Sequence, residues 1–247
     1  NYNFTENVMG YVSDTTGFQS GGYNGRASTA AAAVAVSPER VNSAEIGVKS
    51  TLFDGRMHLN ADYYYANWAA MQLSGTLPTG EFRLTNATGA LIQGFEVEGQ
   101  VQLSQRWRAD VGLSTINAKY RNYSAANIPT FAGKDLKKAP RFQWNLSSTY
   151  IQPLASADVA WSLQLKYTDF YFGAQNNDPV AKTGAHLDAA ARISYEPRSA
   201  NWSAALWGKN LTNNHLAGGL NIPSLGMVIR TAVEPRTYGI DFTYRFF

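Results

Sequence analysis

Apolar and polar residues alternate one for one along most of this chain, the period of a β-strand whose two faces meet different surroundings. From Met57 to Leu73 the odd positions carry Met57, Leu59, Ala61, Tyr63, Tyr65, Asn67, Ala69, Met71 and Leu73, while the even ones include His58, Asn60, Asp62 and Gln72. Phe95, Val97, Val101 and Leu103 alternate with Glu96, Glu98, Gln100 and Gln102. The pattern returns in Phe142, Trp144, Leu146 and Tyr150, in Val159, Trp161, Leu163, Leu165 and Tyr167, and in Leu187, Ala189, Ala191, Ile193 and Tyr195. It closes with Tyr238, Ile240, Phe242, Tyr244 and Phe246 against Asp241, Thr243 and Arg245. A helix would mix these faces, so the pattern predicts strands. With less regular segments near 4–14, 41–52, 106–120 and 201–211, it gives about ten of them, several long enough to cross a membrane at a tilt.

The connections sort by length. Short ones fall at Asp54-Gly55, at Ser104 to Arg106, around Pro153 to Ala157 and at Glu196 to Ala200, where Asp-Gly and Pro supply ordinary turn chemistry. Long ones alternate with them, near 15–37, 75–84, 122–137, 174–183 and 212–235. A soluble meander has no physical reason to place its loops this way. A bacterial membrane barrel does, with tight periplasmic turns and extended external loops.

Composition narrows the classes further. Aromatic residues are abundant, with 14 Tyr, 12 Phe and 6 Trp, while charged residues make up 16%, below the quarter usual for a soluble domain. Mean hydropathy is −0.28, and no apolar run reaches the 18 residues of a spanning helix; Ala27 to Val36 is the nearest and is mostly alanine. There is no cysteine, which excludes disulfides and thiolate metal sites. Net charge is +3, but the basic residues are scattered, which disfavours nucleic-acid binding. The chain opens at Asn1 without a signal peptide, and the expectation is that an N-terminal part of a longer protein is missing.

Several segments, in order and spacing, resemble the C-terminal barrel of the TonB-dependent outer-membrane receptors. They are the glycine-rich stretch from Gly17 to Gly25, Pro38 to Lys49 with Glu45-Ile46-Gly47-Val48-Lys49, Asn86-Ala87 leading to Gly94-Phe95-Glu96-Val97-Glu98, Ala139-Pro140-Arg141, Lys209-Asn210-Leu211-Thr212, and Pro235 to Gly239. The resemblance covers essentially the whole chain. It implies an all-β, antiparallel transmembrane β-barrel portion, residues 1–247, supplying about ten strands of a 22-stranded barrel whose plug domain and N-terminal strands are absent here. It also implies residence in the outer membrane of a Gram-negative bacterium and import of a scarce nutrient: siderophore, vitamin or oligosaccharide. Energy would come through TonB, contacted by the missing N-terminal region. Outer-membrane lipid, lipopolysaccharide and the barrel assembly machinery, reading the C-terminal strand, are the further partners expected. Members of the family end on an aromatic residue in phase with the outward row. Here Phe246 is in phase and Phe247 is extra.

Candidate chemistry is sparse. His186 and Asp188 share a strand face, as do Glu96 and Glu98, and either pair has the makings of acid and base chemistry. Both sit where a barrel lumen is lined with polar residues, so lumen lining is the expected role and no catalytic residue is assigned. His58, His186 and His215 lack ligand spacing, and neither metal nor cofactor is expected. Lys49, Lys166, Arg192, Lys209 and Arg245 share the inward face with Glu45, Asp62, Glu96, Glu98, Asp188 and Asp241, which predicts a salt-bridge network. The external loops supply the binding candidates: Phe18, Tyr23, Asn24, Arg26, Tyr123 and Phe131 combine stacking surface with hydrogen-bonding groups. A complete ten-stranded pore or membrane-embedded hydrolase is the alternative, and a soluble carbohydrate-binding sheet a more distant one.

Overall fold

The computed structural model describes residues 1–27, 30, 33–76, 82–86, 89–121, 131–215, 219–222, 227–230 and 232–246. Its first strands are β1 (Tyr2–Thr5), β2 (Val8–Gln19), β3 (Gly22–Tyr23), β4 (Ala35–Val36), β5 (Glu39–Leu52) and β6 (Met57–Ala69). Then come β7 (Gln72–Thr76), β8 (Phe82–Asn86), β9 (Gly89–Ser104), β10 (Trp107–Tyr120), β11 (Phe142–Pro153) and β12 (Ala157–Thr168). The last are β13 (Tyr171–Phe172), β14 (Lys182–Thr183), β15 (His186–Pro197), β16 (Trp202–Lys209), β17 (Gly219–Ile222), β18 (Met227–Arg230) and β19 (Thr237–Tyr244).

Eleven of these form one antiparallel sheet in the order β1-β2-β5-β6-β9-β10-β11-β12-β15-β16-β19, each strand beside its neighbour in sequence once the four small hairpins are set aside. The expected ten become eleven because the segment near 4–14 is broken at Glu6-Asn7, which returns β1 against β2. Hairpins β3-β4, β7-β8, β13-β14 and β17-β18 stand on four of the long connections. The short reversals all fall at the opposite end. At one of them Phe53, Asp54 and Gly55 take φ of 55°, 54° and 82°, and Arg56 N–H closes the turn on Phe53 O at 3.2 Å.

The register carries the alternation across the sheet without a slip from β2 to β9. Ile46, Tyr63 and Phe95 form one row and Gly47, Asp62 and Glu96 the next, on opposite faces. The β6 alternation runs only to Ala69, short of the expected Leu73. Ala70 adopts φ 53°, and Met71 and Leu73 turn into a small buried cluster with Ala90 and Tyr120, flanked by Trp68, Phe131 and Leu136. No larger core exists among the described residues, because the apolar side chains lie on one face and stay exposed: Val12, Ile46, Phe95, Leu206, Ile240 and Phe242 among them. A soluble protein would cover such a surface; hydrocarbon solvates it without a second layer.

That apolar face carries an aromatic band at each end. Phe142 and Trp144 with Tyr167 (6.1 and 6.2 Å between centroids) lie toward the long connections, and Tyr63 with Phe95 (4.8 Å) near mid-strand. Trp107 with Tyr150 (6.3 Å), Tyr195 with Trp202 (5.8 Å), Trp202 with Phe242 (5.8 Å) and Tyr244 with Phe246 (5.0 Å) lie toward the short turns. Between them the strands are long enough for a membrane. β2, β11, β12 and β15 have 12 residues each, about 40 Å at 3.4 Å per residue and about 30 Å in height at a tilt near 40°. Phe247 lies outside the described residues.

Candidate functional site

The polar face divides into two sectors. In the first, on β2, β5, β6 and β9, Glu45 lies opposite Tyr64, Asp62 beside Glu96, and Glu98 beside Asn60. Tyr11 donates its hydroxyl to Glu45, and Lys49 sits over the Tyr11 ring at 5.4 Å. Among the described residues Asp62, Glu96 and Glu98 have neither a hydrogen-bonded nor an ion-paired partner. The sequence-level expectation of a salt-bridge network fails here: one lysine faces four carboxylates, and it stacks on a ring.

In the second sector, on β12 to β19, three acids have partners: Asp158, Asp188 and Asp241. Arg192 binds Asp241 at 2.5 Å, and Trp207 Nε1 donates to the other Asp241 oxygen at 3.0 Å. Arg198, in the turn after β15, holds Asp158 through both carboxylate oxygens at 2.6 and 3.3 Å, which pushes the guanidinium pKa further up. Asp188 accepts from Asn214 Nδ2 at 2.8 Å and lies 3.8 Å from His186 Nε2, whose other nitrogen meets Gly184 O at 3.1 Å. Those groups use up the His186-Asp188 pair. Asn210, left-handed at φ 48°, clamps the next connection through Asn214 O and Glu234 O, both 2.9 Å. Beneath it lies a cavity of about 510 Å³ lined by Asn145, Gln164, Lys166, Asp188, Lys209 and Glu234, among others.

One recurrent device was missed in the sequence: a large side chain on one strand laid across a glycine on the next. A Cβ on Gly47 would meet the Tyr11 ring, one on Gly94 the Tyr64 hydroxyl, one on Gly112 the Asn145 amide, and one on Gly239 the Trp207 ring. These aromatics break the polar pattern of their face. The signal available was their parity: Tyr64 is even in a strand whose odd positions are the apolar ones.

The loop candidates separate. Asn24 is 4% exposed; its amide donates to Phe82 O at 2.8 Å and its oxygen accepts from Arg26 N at 3.1 Å. Arg26 lies over the Phe82 ring at 5.0 Å, and Phe131 packs on Tyr120 at 5.8 Å. Phe18 is not in a loop: β2 extends to Gln19 and carries it on the apolar face, 77% exposed. Tyr23, on the β3-β4 hairpin, is 73% exposed. Tyr123 lies outside the described residues. A second buried polar group went unforeseen: Glu39, accepting from Trp68 Nε1 at 2.8 Å and from Gln72 N at 2.5 Å, ties the β7-β8 hairpin to the sheet.

A family model described as TonB dependent receptor-like, beta-barrel matches residues 1–211. The chain belongs to this family. As a member it is an outer-membrane protein of Gram-negative bacteria, its apolar face meets lipid and its polar face lines the lumen. Solved receptors share the fold. The ferric yersiniabactin uptake receptor FyuA from Yersinia pestis superimposes with a TM-score of 0.84 at 18% identity, over 100% of this chain and 36% of that one. The siderophore receptor PiuA from Acinetobacter baumannii gives 0.73 at 16% identity, over 98% and 34%. The ferric-catecholate import receptor Fiu from E. coli K12, closed form, gives 0.72 at 19% identity, over 98% and 33%. The chain thus spans about a third of the length of these receptors.

Proposed function

We propose that this chain is the C-terminal part of the barrel wall of a TonB-coupled importer for a scarce solute, a ferric siderophore before a vitamin or an oligosaccharide. Its main support is the two-faced sheet, oily without and hydrated within, in a chain of this family whose long connections all lie at one end. The similar structures are receptors for siderophores or ferric chelates, which orders the candidates. An open sheet edge in a bilayer leaves a row of unsatisfied backbone groups, so in this reading β1 and β19 pair with further strands of a longer protein. The carboxylates Asp62, Glu96 and Glu98, without partners among the described residues, face the plug domain in the closed lumen together with Glu45, which Tyr11 holds. Tyr23 and Arg26 reach the ligand from the first external loop, Tyr123 joins them from the third, and Asn24 and Phe131 hold the loop bases in shape. Phe18 stands apart on the lipid side. Ligand capture by the loops precedes plug movement driven through TonB, and no bond is made or broken.

The test is uptake. The complete reading frame, expressed in a strain deleted for its own ferric-siderophore receptors, restores growth on at least one ferric chelate under iron limitation and fails to do so when TonB is removed. Growth restored equally without TonB, or hydrolysis of an ester or peptide by the purified receptor, contradicts the proposal and favours a pore or a membrane-embedded hydrolase.

A further inference from the structure

Two of the segments that stand out in the sequence, Pro38 to Lys49 and Asn86-Ala87, meet at the long-connection end of the sheet. The Asn86 side chain accepts from Ser37 N–H at 2.7 Å and donates to Ser37 O at 2.9 Å and to Ala70 O at 2.6 Å. One amide thus serves both backbone groups of a residue on the neighbouring connection, as the next strand of a sheet would. Gln72 repeats the contact from the same hairpin. Its amide donates to Ser20 O and Ser37 O, both at 3.1 Å, and its oxygen accepts from Gln19 Nε2 at 3.4 Å. Glu39 holds Gln72 in turn through the backbone N–H, and Asn24 reaches across to Phe82 O.

The same device recurs on the next two connections. Asn177 accepts from Asp135 N–H and donates to Asp135 O, both at 2.8 Å. Lys134 Nζ donates to Asn176 O at 2.6 Å, and Lys138 N–H to Phe172 O at 2.8 Å. Asn177 sits at φ 53°, a left-handed conformation that asparagine tolerates, so the residue both turns its own chain and grips its neighbour. The two groups meet through apolar packing, with the Phe131 ring on Tyr120 at 5.8 Å and Leu136 against the cluster of Met71, Leu73, Ala90 and Tyr120. Hydrogen bonds fix an orientation, whereas apolar packing has no preferred direction and permits sliding.

We propose that the external connections work in coupled pairs, β3-β4 with β7-β8 and residues 131–138 with 170–183, each pair keyed by one asparagine, Asn86 or Asn177. A lone two-stranded hairpin is marginally stable and frays as loops do. Shared amide bonds make the opening of one connection require the opening of its neighbour, which reduces the excursions of both. Asn86 and Asn177 are positioning residues: they act through the backbone of the adjoining connection. The consequence for capture rests on the importer reading. Tyr23 and Arg26 from the first connection and Phe82 from the second, with the Arg26 guanidinium over the Phe82 ring, meet an arriving solute as one pre-set surface.

The test is dipolar EPR on the complete receptor in lipid, without ligand. Nitroxides are placed on cysteine pairs at the exposed positions Gly25 and Ser74 and, separately, Lys137 and Val180. Each pair gives one narrow distance distribution when the asparagines are intact. Asn86→Ala broadens the distribution between Gly25 and Ser74 at least about twofold and leaves that between Lys137 and Val180 unchanged, and Asn177→Ala does the reverse. Should either alanine variant fold poorly, Asn86→Asp and Asn177→Asp, which keep the acceptor and lose the donor, broaden the same pair by less. Broad distributions with both asparagines intact, unchanged ones in the folded variants, or broadening of both pairs by either change overturn the proposal, the last because it marks a general softening. A receptor that imports through TonB yet shows broad pairs loses the coupling and keeps the transport reading. Narrow, asparagine-dependent pairs in a receptor that imports nothing do the opposite.

Discussion

The two sectors of the lumen wall carry similar residue types and use them differently. On β12 to β19 each acid named above has a partner: Asp241 with Arg192 and Trp207, Asp158 with Arg198, Asp188 with Asn214 and His186. On β5 to β9, Asp62, Glu96 and Glu98 crowd one another, with Lys49 drawn to the Tyr11 ring. Charges in a hydrated lumen lose little solvation, so the crowding is tolerable, but it stores repulsion that a basic partner would relieve. The second sector holds its named acids in place, and the first leaves three carboxylates without partners among the described residues.

The largest expected effect is steric and lies in the crowded sector. Gly94→Ala puts a Cβ 2.0 Å from Thr115 O, a backbone atom that cannot step aside. A loss of about 2–3 kcal/mol is expected, seen as a lower temperature for conversion of the heat-modifiable band. Gly239→Ala in the second sector meets the Trp207 ring first, a side chain that can swing away at the cost of its bond to Asp241, and the loss should be smaller than at Gly94. Equal losses at both sites would show that the two walls are not built as described.

Charge changes come next. Arg192→Ala strands Asp241, but both groups are nearly half exposed, so only a small destabilisation is expected by chemical denaturation, less than that of either glycine change. Glu96→Gln should do the reverse in this part of the wall taken alone, raising stability by a few tenths of a kcal/mol as repulsion falls. In the complete receptor the same change, combined with Asp62→Asn and Glu98→Gln, should loosen the plug and raise sensitivity to large antibiotics. The smallest effect belongs to His186→Ala: uptake within about twofold of wild type is the outcome expected of a pair that only lines the lumen.

How much of this was legible in the sequence follows from what a period of two can say. It shows which side of a strand a residue takes, and every outward row from Phe95 to Phe242 was readable that way. It does not show which residue lies opposite, so the pairing of Arg192 with Asp241, separated by 49 positions, and the crowding of Asp62 against Glu96 were both hidden. Nor does it see interruptions: Ala70 bends the chain out of β6 with no glycine or proline to announce it. The binding candidates suffered most. Asn24 looks like a loop amide offered to a ligand, and only the closeness of Phe82, 58 residues away, reveals that it is spent internally. Phe18 looks like a loop residue because the glycines around it read as turn formers, whereas β2 runs straight through Gly17, where a Cβ would meet nothing.

The sidedness of the strands can be measured directly. Because this sequence lacks cysteine, single cysteines at successive positions of β6, Met57 to Ala69, can carry a nitroxide in receptor reconstituted into lipid. Collision with oxygen, which concentrates in hydrocarbon, should peak at Leu59, Ala61, Tyr63 and Tyr65, and collision with a water-soluble nickel chelate at His58, Asn60, Asp62 and Tyr64. A profile without this alternation, or with the two sets exchanged, contradicts a wall with lipid on one face and a hydrated lumen on the other.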